Sequence, residues 1–413
     1  MIEQKLGSKH SQVVNILIFI FPIVINSLQV AGDIVLLVLA MMGIYIAISQ
    51  KISPFVVKDI KVFSYLTIGY FLAICLSVFF SGQAEELAHY IPRDFYFLFA
   101  PFIALALYKA EIDINYLIVG VKVSLLVLGM IVLNQIVLSG VPLAHRPTGV
   151  MNAGVFGNLS VALFFIVLTF FQHESFQHKI FTLVSLLSGL FIIIASGTRG
   201  AWLSFLLLLG VYFYFIYKQK NKFSARSKII IIIFIAVVLS LGAINKEIHD
   251  RTNLIYSDVS SWISGDKKLS SVGLRMEIYK KAINNIEDVP FFGYGLRTSN
   301  IALFQNDNSI MGRVAVRYNH LHNAYLTNYY NGGVVLLGAL LLILFVPLVI
   351  FVKENTQDRK NPIFISGALL TLGYSSYGMV NILLGDTYMN GFYVFFLAIF
   401  LVLTNKSIKL QNS

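Results

Sequence analysis

Long apolar stretches follow one another along most of this chain, and they constrain its fold more than any other feature. A helix needs about 20 mostly apolar residues to cross the hydrocarbon core of a bilayer. Twelve stretches approach or exceed this length, and they are 12–30, 34–50, 63–81, 95–108, 116–139, 157–172, 180–196, 201–217, 229–245, 324–352, 363–381 and 388–405. The pattern predicts an all-α, polytopic membrane protein with about twelve transmembrane helices.

The composition agrees with this interpretation and excludes other classes. Of the 413 residues, 57% are hydrophobic and only 12% are charged, whereas about 25% of the residues of a soluble domain are charged. A soluble globular enzyme, a disordered chain and a merely basic DNA-binding protein are therefore excluded. The single cysteine, Cys75, lies in an apolar stretch, which excludes a disulfide framework and a cysteine-rich metal site. The first stretch lacks a small-residue cleavage site, so we interpret it as a retained helix and not as a signal peptide.

The distribution of basic residues predicts the orientation of the helices. Lysine and arginine close to the ends of spans favour the cytoplasm. With the N-terminus inside, 17 basic residues fall in cytoplasmic segments, and they are Lys5, Lys9, Lys51, Lys58, Lys61, Lys109, Lys179, Lys218, Lys220, Lys222, Arg226, Lys228, Lys353, Arg359, Lys360, Lys406 and Lys409. The short outer loops hold only three, Arg93, Arg146 and Arg199. Both termini are then cytoplasmic, and most of the net charge of +11 is an insertion signal.

One long polar segment interrupts the apolar pattern, between residues 246 and 321. It predicts three parts: residues 1–245 with transmembrane helices 1–9, the loop 246–321 on the outer side, and residues 322–413 with helices 10–12. Within the loop, Leu274, Ile278, Ala282 and Ile286 recur every four residues, which places them on one face of a helix. We expect the loop to fold back over the mouth of the bundle as one or two amphipathic helices.

A polar motif, SGTRGAW at 196–202, stands between two apolar stretches. The connection is so short that Arg199 must lie at or just below the outer membrane surface. An arginine there is costly unless it faces a wet cavity or a counter-charge. It can instead extend to the lipid headgroups. The flanking glycines, which let a ligand approach the backbone, favour a binding site.

Two further places carry polar residues that a plain helical bundle does not require. Arg275 lies in the first turn of the amphipathic segment, where a positive charge opposes the helix dipole, so it either binds a partner or belongs to a solvated face. His320 and His322 stand where the loop re-enters the membrane. Residues two apart on a helix point about 200° apart, which makes the pair a poor zinc site and predicts that only one of them faces a cavity. That imidazole is either an interfacial side chain or a general base.

Taken in order, these motifs resemble the O-antigen ligase and polymerase family. The resemblance is carried by SGTRGAW at 196–202, by the Arg275 segment that ends in PFFGYG at 290–295, and by His322-Asn323 leading into NGG at 331–333. It covers roughly residues 145–350, and the first five apolar stretches match only in hydrophobicity. It implies a GT-C-like membrane fold with a large periplasmic loop that carries short helices.

The resemblance implies a glycosyltransferase that needs no metal and no other cofactor. Such ligases transfer a polysaccharide from undecaprenyl diphosphate to the lipid A–core, in a single inverting step at the periplasmic face of the bacterial inner membrane. Arg199 and Arg275 match the two arginines of the family and would bind the donor diphosphate in one cavity. His322 matches its catalytic histidine. Guanidinium groups can neutralise diphosphate charge without a metal ion. The expected partners are these two substrates and membrane lipids, and no nucleic acid.

Several other polar residues are candidates for supporting roles, on charge and position alone. Because lipid A–core is anionic, outward-facing arginines would suit it, and Arg146, Arg313 and Arg317 are the candidates. His320 would orient the chain or touch the acceptor. Asn323 would donate a hydrogen bond to a sugar or to the neighbouring histidine.

Two rival functions are also compatible with the sequence. An O-antigen polymerase would share the donor and the motifs but would use a second lipid-linked glycan as acceptor. A polysaccharide flippase or secondary transporter would often show repeated halves with broken helices near the midplane, and the sequence has no matching halves. A deletion strain separates the first two, since loss of a ligase leaves lipid-linked polymer unattached and loss of a polymerase leaves cores capped with one repeat unit.

Overall fold

The computed structural model describes residues 2–83, 85, 91–142, 145–219, 257–264 and 270–412. All regular structure in these ranges is helical. The helices are α1 Ile2–Ser27, α2 Gln29–Ser49, α3 Lys61–Phe80, α4 Phe95–Lys109, α5 Ile114–Val137, α6 Ala153–Phe170, α7 Phe176–Ala195, α8 Arg199–Lys218, α9 Ser271–Asn284, α10 Ser299–Phe304, α11 Ile310–Ala315, α12 Ala324–Gln357, α13 Pro362–Tyr377 and α14 Thr387–Asn412. The predicted all-α class is confirmed.

Ten of the described helices are long and apolar enough to cross a membrane, namely α1–α8, α12 and α14. The stretch predicted at 363–381 forms α13, which has only 16 residues. It ends early because the chain turns at Gly378 and continues as the irregular segment 378–386. The span predicted at 229–245 lies outside the described residues. The protein is therefore a multi-pass membrane protein.

The centre of the bundle is formed by α6 and α14, which are buried along nine-tenths of their apolar length. Both are apolar on all faces, as expected for helices that are surrounded by other helices. Phe392, Phe396 and Phe400 of α14 are completely buried. The short α13 packs against α6, α8, α12 and α14. These contacts hold it in the bundle although it has only 16 residues.

A buried ion pair joins α5 to the connection between α6 and α7. The Nζ of Lys122, whose side chain is 2% exposed, lies 2.5 Å from a carboxylate oxygen of Glu174. The hydroxyl of Thr182 donates a hydrogen bond to the other oxygen of that carboxylate. An unpaired charge at this depth would be costly, so the three residues fix α5 and α7 against each other.

The loop between α8 and α12 contains more helical segments than the one or two that we predicted. Besides α9, it forms α10, α11 and a short helix at 257–263. The predicted apolar face of α9 is buried at Leu274, Ile278 and Ala282. Ile286 is exposed, because the α-helix ends at Asn284 and a 3₁₀ turn follows. The prediction for Ile286 was therefore wrong.

A second, smaller core holds these loop helices to the first turns of α12. It is made of residues from α9, α10, α11 and α12 together with the segment before α12, and its members include Ile278, Ala282, Phe304, Ala315, Leu321 and Tyr330. The hydroxyl of Tyr330 donates to the carbonyl of Ala282 at 2.7 Å. Helices α9, α10 and α11 are therefore packed on the bundle over the start of α12.

Helix α12 is broken at Gly332 and Gly333, where the backbone is not helical. The carbonyl groups that the break releases are bonded by neighbouring segments. The N–H of Tyr294 donates to the carbonyl of Tyr330 (2.8 Å) and the N–H of Gly295 donates to the carbonyl of Asn331 (2.9 Å). The hydroxyl of Ser77 on α3 also donates to Asn331 (2.6 Å). Such a break inside a membrane protein is tolerated because protein groups satisfy the backbone.

Candidate functional site

A cavity of about 1000 Å³ opens at the end of the bundle that carries the loop helices. We call this end the cavity end. The first residues of α6, α8, α9 and α14 line the cavity. Since the N-terminus of a helix carries a partial positive charge and free N–H groups, four helices direct positive potential into the same space. The α3 residues Tyr70 and Ile74 line it more deeply.

Arg199 enters the cavity from the first position of α8. The preceding turn is tight, with Gly197 at a φ of 57°. The turn is fixed to α6 by the Thr198 hydroxyl, which donates to the carbonyl of Ala153 at 2.7 Å. Close packing depends on Gly157, where an added Cβ would lie 2.8 Å from the Oγ of Ser196. The small residues around Arg199 therefore hold the start of α8 directly against α6.

Arg275 reaches the same cavity from the first turns of α9. This helix begins at a regular cap, in which the side chain of Ser270 accepts a hydrogen bond from the N–H of Gly273 at 3.0 Å. Its buried face packs in the loop core, and Arg275, at the edge of that face, is half-buried. Arg199 and Arg275 are far apart in the sequence and line one cavity.

His320 and His322 both line the cavity, which contradicts the expectation that only one of them could. The expectation assumed that both residues lie on a helix, whereas α12 begins at Ala324. Leu321 between them is fully buried in the loop core. His322 adopts a left-handed backbone with a φ of 54°, and this reverses the chain so that the two rings meet with their centroids 4.5 Å apart.

Several hydrogen bonds hold the histidine segment in place. The side-chain amide of the buried Asn300 donates to the carbonyls of Tyr318 and His320, both at 2.8 Å. The hydroxyl of Tyr279 on α9 donates to the carbonyl of His322 at 2.8 Å. The loop helices therefore fix the backbone on both sides of the two imidazoles.

The surroundings of the histidines keep both imidazoles neutral. Burial, the neighbouring His320 and the Arg275 guanidinium lower the pKa of His322 to about 3. Burial and Arg275 lower the pKa of His320 to about 4. A neutral imidazole can accept a proton, so His322 is in the protonation state that a general base requires.

The other candidates divide between the cavity and its surroundings. Arg146 lines the cavity from the loop before α6. Arg313 is exposed and donates from its NH1 to the carbonyl of Asn308 at 2.8 Å, and neither it nor the exposed Arg317 is among the lining residues. Asn323 caps α12, since its Oδ1 accepts from the N–H of Leu326 at 3.0 Å.

Sequence reasoning missed two arginines of the cavity, Arg93 and Arg297. Arg93 precedes α4, and Arg297 follows the PFFGYG segment with a φ of 63°. The signal that could have indicated Arg297 is its position two residues after the last glycine of a motif already singled out. With Arg146, Arg199 and Arg275, five guanidinium groups line the cavity against two carboxylates, Asp94 and Asp386.

The arrangement can bind a ligand with several negative charges and hold a neutral base beside it. Guanidinium groups bind phosphate oxygens in a bidentate manner, and the helix N-termini add backbone N–H groups. Among the described residues, no three His, Cys, Asp or Glu side chains are grouped so that they could bind a metal ion. Fold and site together define a class: an all-α, multi-pass membrane protein with an arginine-rich cavity at one end.

Comparison with known families makes the assignment more specific. The family model described as O-antigen ligase matches residues 183–342, about two fifths of the chain. The matched segment contains Arg199, Arg275 and His322. The resemblance to the O-antigen ligase family that the motifs predict is confirmed over these residues.

A similar protein occurs in Haemophilus influenzae. It is an uncharacterized protein that is 27% identical to this chain over 210 residues. The aligned region is 49% of this chain and 52% of the relative. The chain therefore spans about half the length of the curated relative that it matches.

Proposed function

We propose that this protein is an O-antigen ligase. It would transfer a polysaccharide from undecaprenyl diphosphate to the lipid A–core, at the periplasmic face of a bacterial inner membrane and without a metal ion. The observation that carries the proposal is that Arg199, Arg275 and His322, from three separate segments, line one cavity. The family match over 183–342 supports the same class of reaction.

The proposed orientation follows from the bias of basic residues. With 17 lysines and arginines on one side and three in the short loops of the other, the positive-inside rule puts both termini in the cytoplasm. Residues 1–245 and 322–413 then form the membrane bundle, and residues 246–321 form a periplasmic domain. The cavity end faces the periplasm in this arrangement, where lipid-linked donor and lipid A–core can meet.

The arginines would act on the donor. The leaving group is a diphosphate, and its negative charge grows as the bond to the sugar breaks. Arg199 and Arg275 would bind its oxygens, and the N-termini of α6 and α8 would add to the positive potential. Fixed donors that face a developing charge stabilise the transition state more than the ground state. The undecaprenyl chain would stay in the bilayer, because moving it into water costs about 0.8 kcal/mol per CH₂.

His322 would act on the acceptor. A sugar hydroxyl of the acceptor attacks the anomeric carbon, and its oxygen forms the new glycosidic bond. The bond between that carbon and the diphosphate oxygen breaks, and its electron pair leaves with undecaprenyl diphosphate. The hydroxyl proton moves to the neutral imidazole of His322. Attack from the side opposite the leaving group inverts the configuration at the anomeric carbon.

The test is complementation of a deletion strain, read from its lipopolysaccharide. We expect His322→Ala, Arg199→Lys and Arg275→Lys to leave long polymer on undecaprenyl diphosphate and lipid A–core without it. Lysine keeps the charge but lacks the planar, bidentate fork. Arg313→Lys is the matched control, since Arg313 is exposed and outside the cavity lining, and it should restore ligation.

Each result has a definite meaning. Cores capped with a single repeat unit in the deletion strain would assign the protein as a polymerase and overturn the proposal. Normal ligation by both lysine variants would refute the diphosphate-binding role. Membrane insertion of every variant is checked by its abundance in the membrane fraction.

A further inference from the structure

Below the arginines, the cavity is lined by uncharged polar side chains of the membrane helices. Asn158 comes from α6, Thr327, Asn328 and Asn331 from α12, and Tyr70 from α3. By the helical rise, Asn158 lies about 7 Å from the start of α6, and Asn331 about 10 Å from the start of α12. We call these five residues the polar floor.

Two atoms of the polar floor are buried acceptors without a hydrogen-bond partner among the described residues. Asn158 and Asn331 are 1% and 8% exposed, and the Oδ1 of each lacks a partner. The neighbouring Asn328 differs: its Oδ1 accepts from the Tyr70 hydroxyl at 3.3 Å, and its Nδ2 donates to the carbonyl of Ala324 at 2.7 Å. Buried polar groups are nearly always bonded. Asn158 and Asn331 also line the cavity, so a ligand bound there can supply the missing donors.

The chemistry of these oxygens limits what the ligand can be. A side-chain amide oxygen only accepts hydrogen bonds. The oxygens of a phosphate diester are acceptors too, so they cannot bond to these two amide oxygens, and the arginines are the better partners for the diphosphate. A group with several hydroxyls is suited to it. Ile74, Leu336 and Leu384 line the same cavity and can contact the apolar faces of a sugar ring.

The floor residues also adjoin both parts of the proposed active site along the chain. Asn158 follows Gly157, which packs against the turn that carries Arg199. Asn331 stands on the same half of α12 that His322 precedes, directly before the helix break. A sugar bound to the floor would therefore have its diphosphate near Arg199 and its anomeric carbon towards the histidine.

We propose that Asn158 and Asn331 bind hydroxyl groups of the donor sugar that is attached to the diphosphate. The proposal rests on the proposed function and names a specificity-determining site within it. The floor would bind the sugar and the arginines would bind the diphosphate. The contributions of the sugar and of the diphosphate to donor affinity can therefore be measured separately.

The experiment measures binding of two lipids to the purified full-length protein in nanodiscs. One lipid is undecaprenyl diphosphate without a sugar. The other is the undecaprenyl diphosphate saccharide fraction extracted from a strain that lacks this protein. We expect the wild-type protein to bind the saccharide lipid more tightly by about tenfold, since a hydrogen bond to a neutral group contributes about threefold to tenfold in affinity. Asn158→Ala and Asn331→Ala should each remove about threefold of this preference and leave binding of the bare lipid unchanged.

A matched control is available on the same helix. Asn355 of α12 is 6% exposed, its Oδ1 also lacks a partner among the described residues, and it does not line the cavity. Asn355→Ala should change neither affinity. Unchanged preference in both floor variants, or equal loss of both lipids, would overturn the proposal. A wild-type protein that binds both lipids equally would also overturn it while leaving the diphosphate site intact, whereas a wild-type protein that binds neither would refute the proposed function itself.

Discussion

At the scale of single residues, the reactivity of the cavity depends on how His322 is held. Its left-handed backbone is uncommon for a residue with a side chain, and it persists because Leu321 and Tyr279 fix the chain on both sides. The resulting position is partly buried and close to Arg275, and both conditions disfavour the charged imidazole. The backbone geometry and the lowered pKa therefore have one structural origin.

The lowered pKa predicts an unusual pH dependence. The base form of His322 exists above its pKa, which lies at about 3 and not at the ordinary value. We expect kcat/KM for ligation to stay constant from pH 8 down to about pH 5, whereas an unperturbed histidine would cause a decline near about pH 6.5. The measurement is the pH profile of kcat/KM in vitro.

The profile of His320→Gln identifies the group that titrates. If the decline of kcat/KM at acid pH reports the protonation of His322, it should remain in this variant. The substitution removes the neighbouring His320, which is only a secondary cause of the lowered pKa of His322. A decline of kcat/KM near pH 6.5 in the wild-type protein would contradict the assignment of His322 as a partly buried, neutral base.

Tyr279 provides a second prediction at this scale. Tyr279→Phe removes the hydrogen bond to the His322 carbonyl and leaves the ring in place. We expect kcat to fall about threefold to tenfold, since a hydrogen bond contributes about 0.5–1.5 kcal/mol, and KM for the donor to stay unchanged because the arginines remain.

Tyr294→Phe is the control for that measurement. Its hydroxyl donates to the carbonyl of Asp288 at 2.8 Å, in the same loop but away from the histidines. This variant should keep the kcat of the wild-type protein. A parallel loss in both variants would mean that Tyr279 only stabilises the loop.

At the scale of elements, the break in α12 joins the loop to the membrane bundle. Gly333 has a φ of 62° and a ψ of −157°, a region that is essentially restricted to glycine. An added Cβ would lie 1.9 Å from the carbonyl oxygen of Phe291. The PFFGYG segment therefore crosses the NGG segment so closely that there is no room for a side chain at Gly333.

Replacing Gly333 tests whether the close crossing of these two segments is required. We expect Gly333→Ala to destabilise the protein by at least about 1–3 kcal/mol from backbone strain alone. It should also abolish ligation, because the histidine segment directly precedes the first half of α12. Gly338→Ala is the matched control on the same helix, since nothing lies within 4 Å of its added Cβ. It should be neutral or slightly stabilising. The two variants are compared by thermal unfolding of the purified proteins in detergent. Equal melting temperatures would show that the close crossing at Gly333 is not required for stability.

At the scale of the whole molecule, the orientation in the membrane decides which compartment the cavity serves. Alkaline phosphatase fused after residue 290, at the cavity end, should be active because that end is expected to be periplasmic. A fusion after residue 359, in the turn between α12 and α13 at the opposite end, should be inactive. Inverted activities would contradict the orientation drawn from the basic residues.

Much of the architecture could be predicted because it depends on local properties. An apolar stretch of sufficient length becomes a membrane helix wherever it lies, so the positions of α1–α8, α12 and α14 follow from the sequence. The buried face of α9 followed from periodicity, up to the point where the helix ends and Ile286 becomes exposed. The motifs around Arg199, Arg275 and His322 could be singled out for the same reason, since each is contained in one short segment.

The sequence by itself determined the class of the protein, its apolar helices and the segments that carry charge into the membrane. Only the tertiary structure decided which of these segments meet. The pairing of the His320 and His322 rings depends on a left-handed residue and a buried leucine between them, and the polar floor depends on helices from three parts of the chain. Neither is encoded in a local pattern, because a cavity is lined by side chains whose proximity arises from packing between residues distant in sequence.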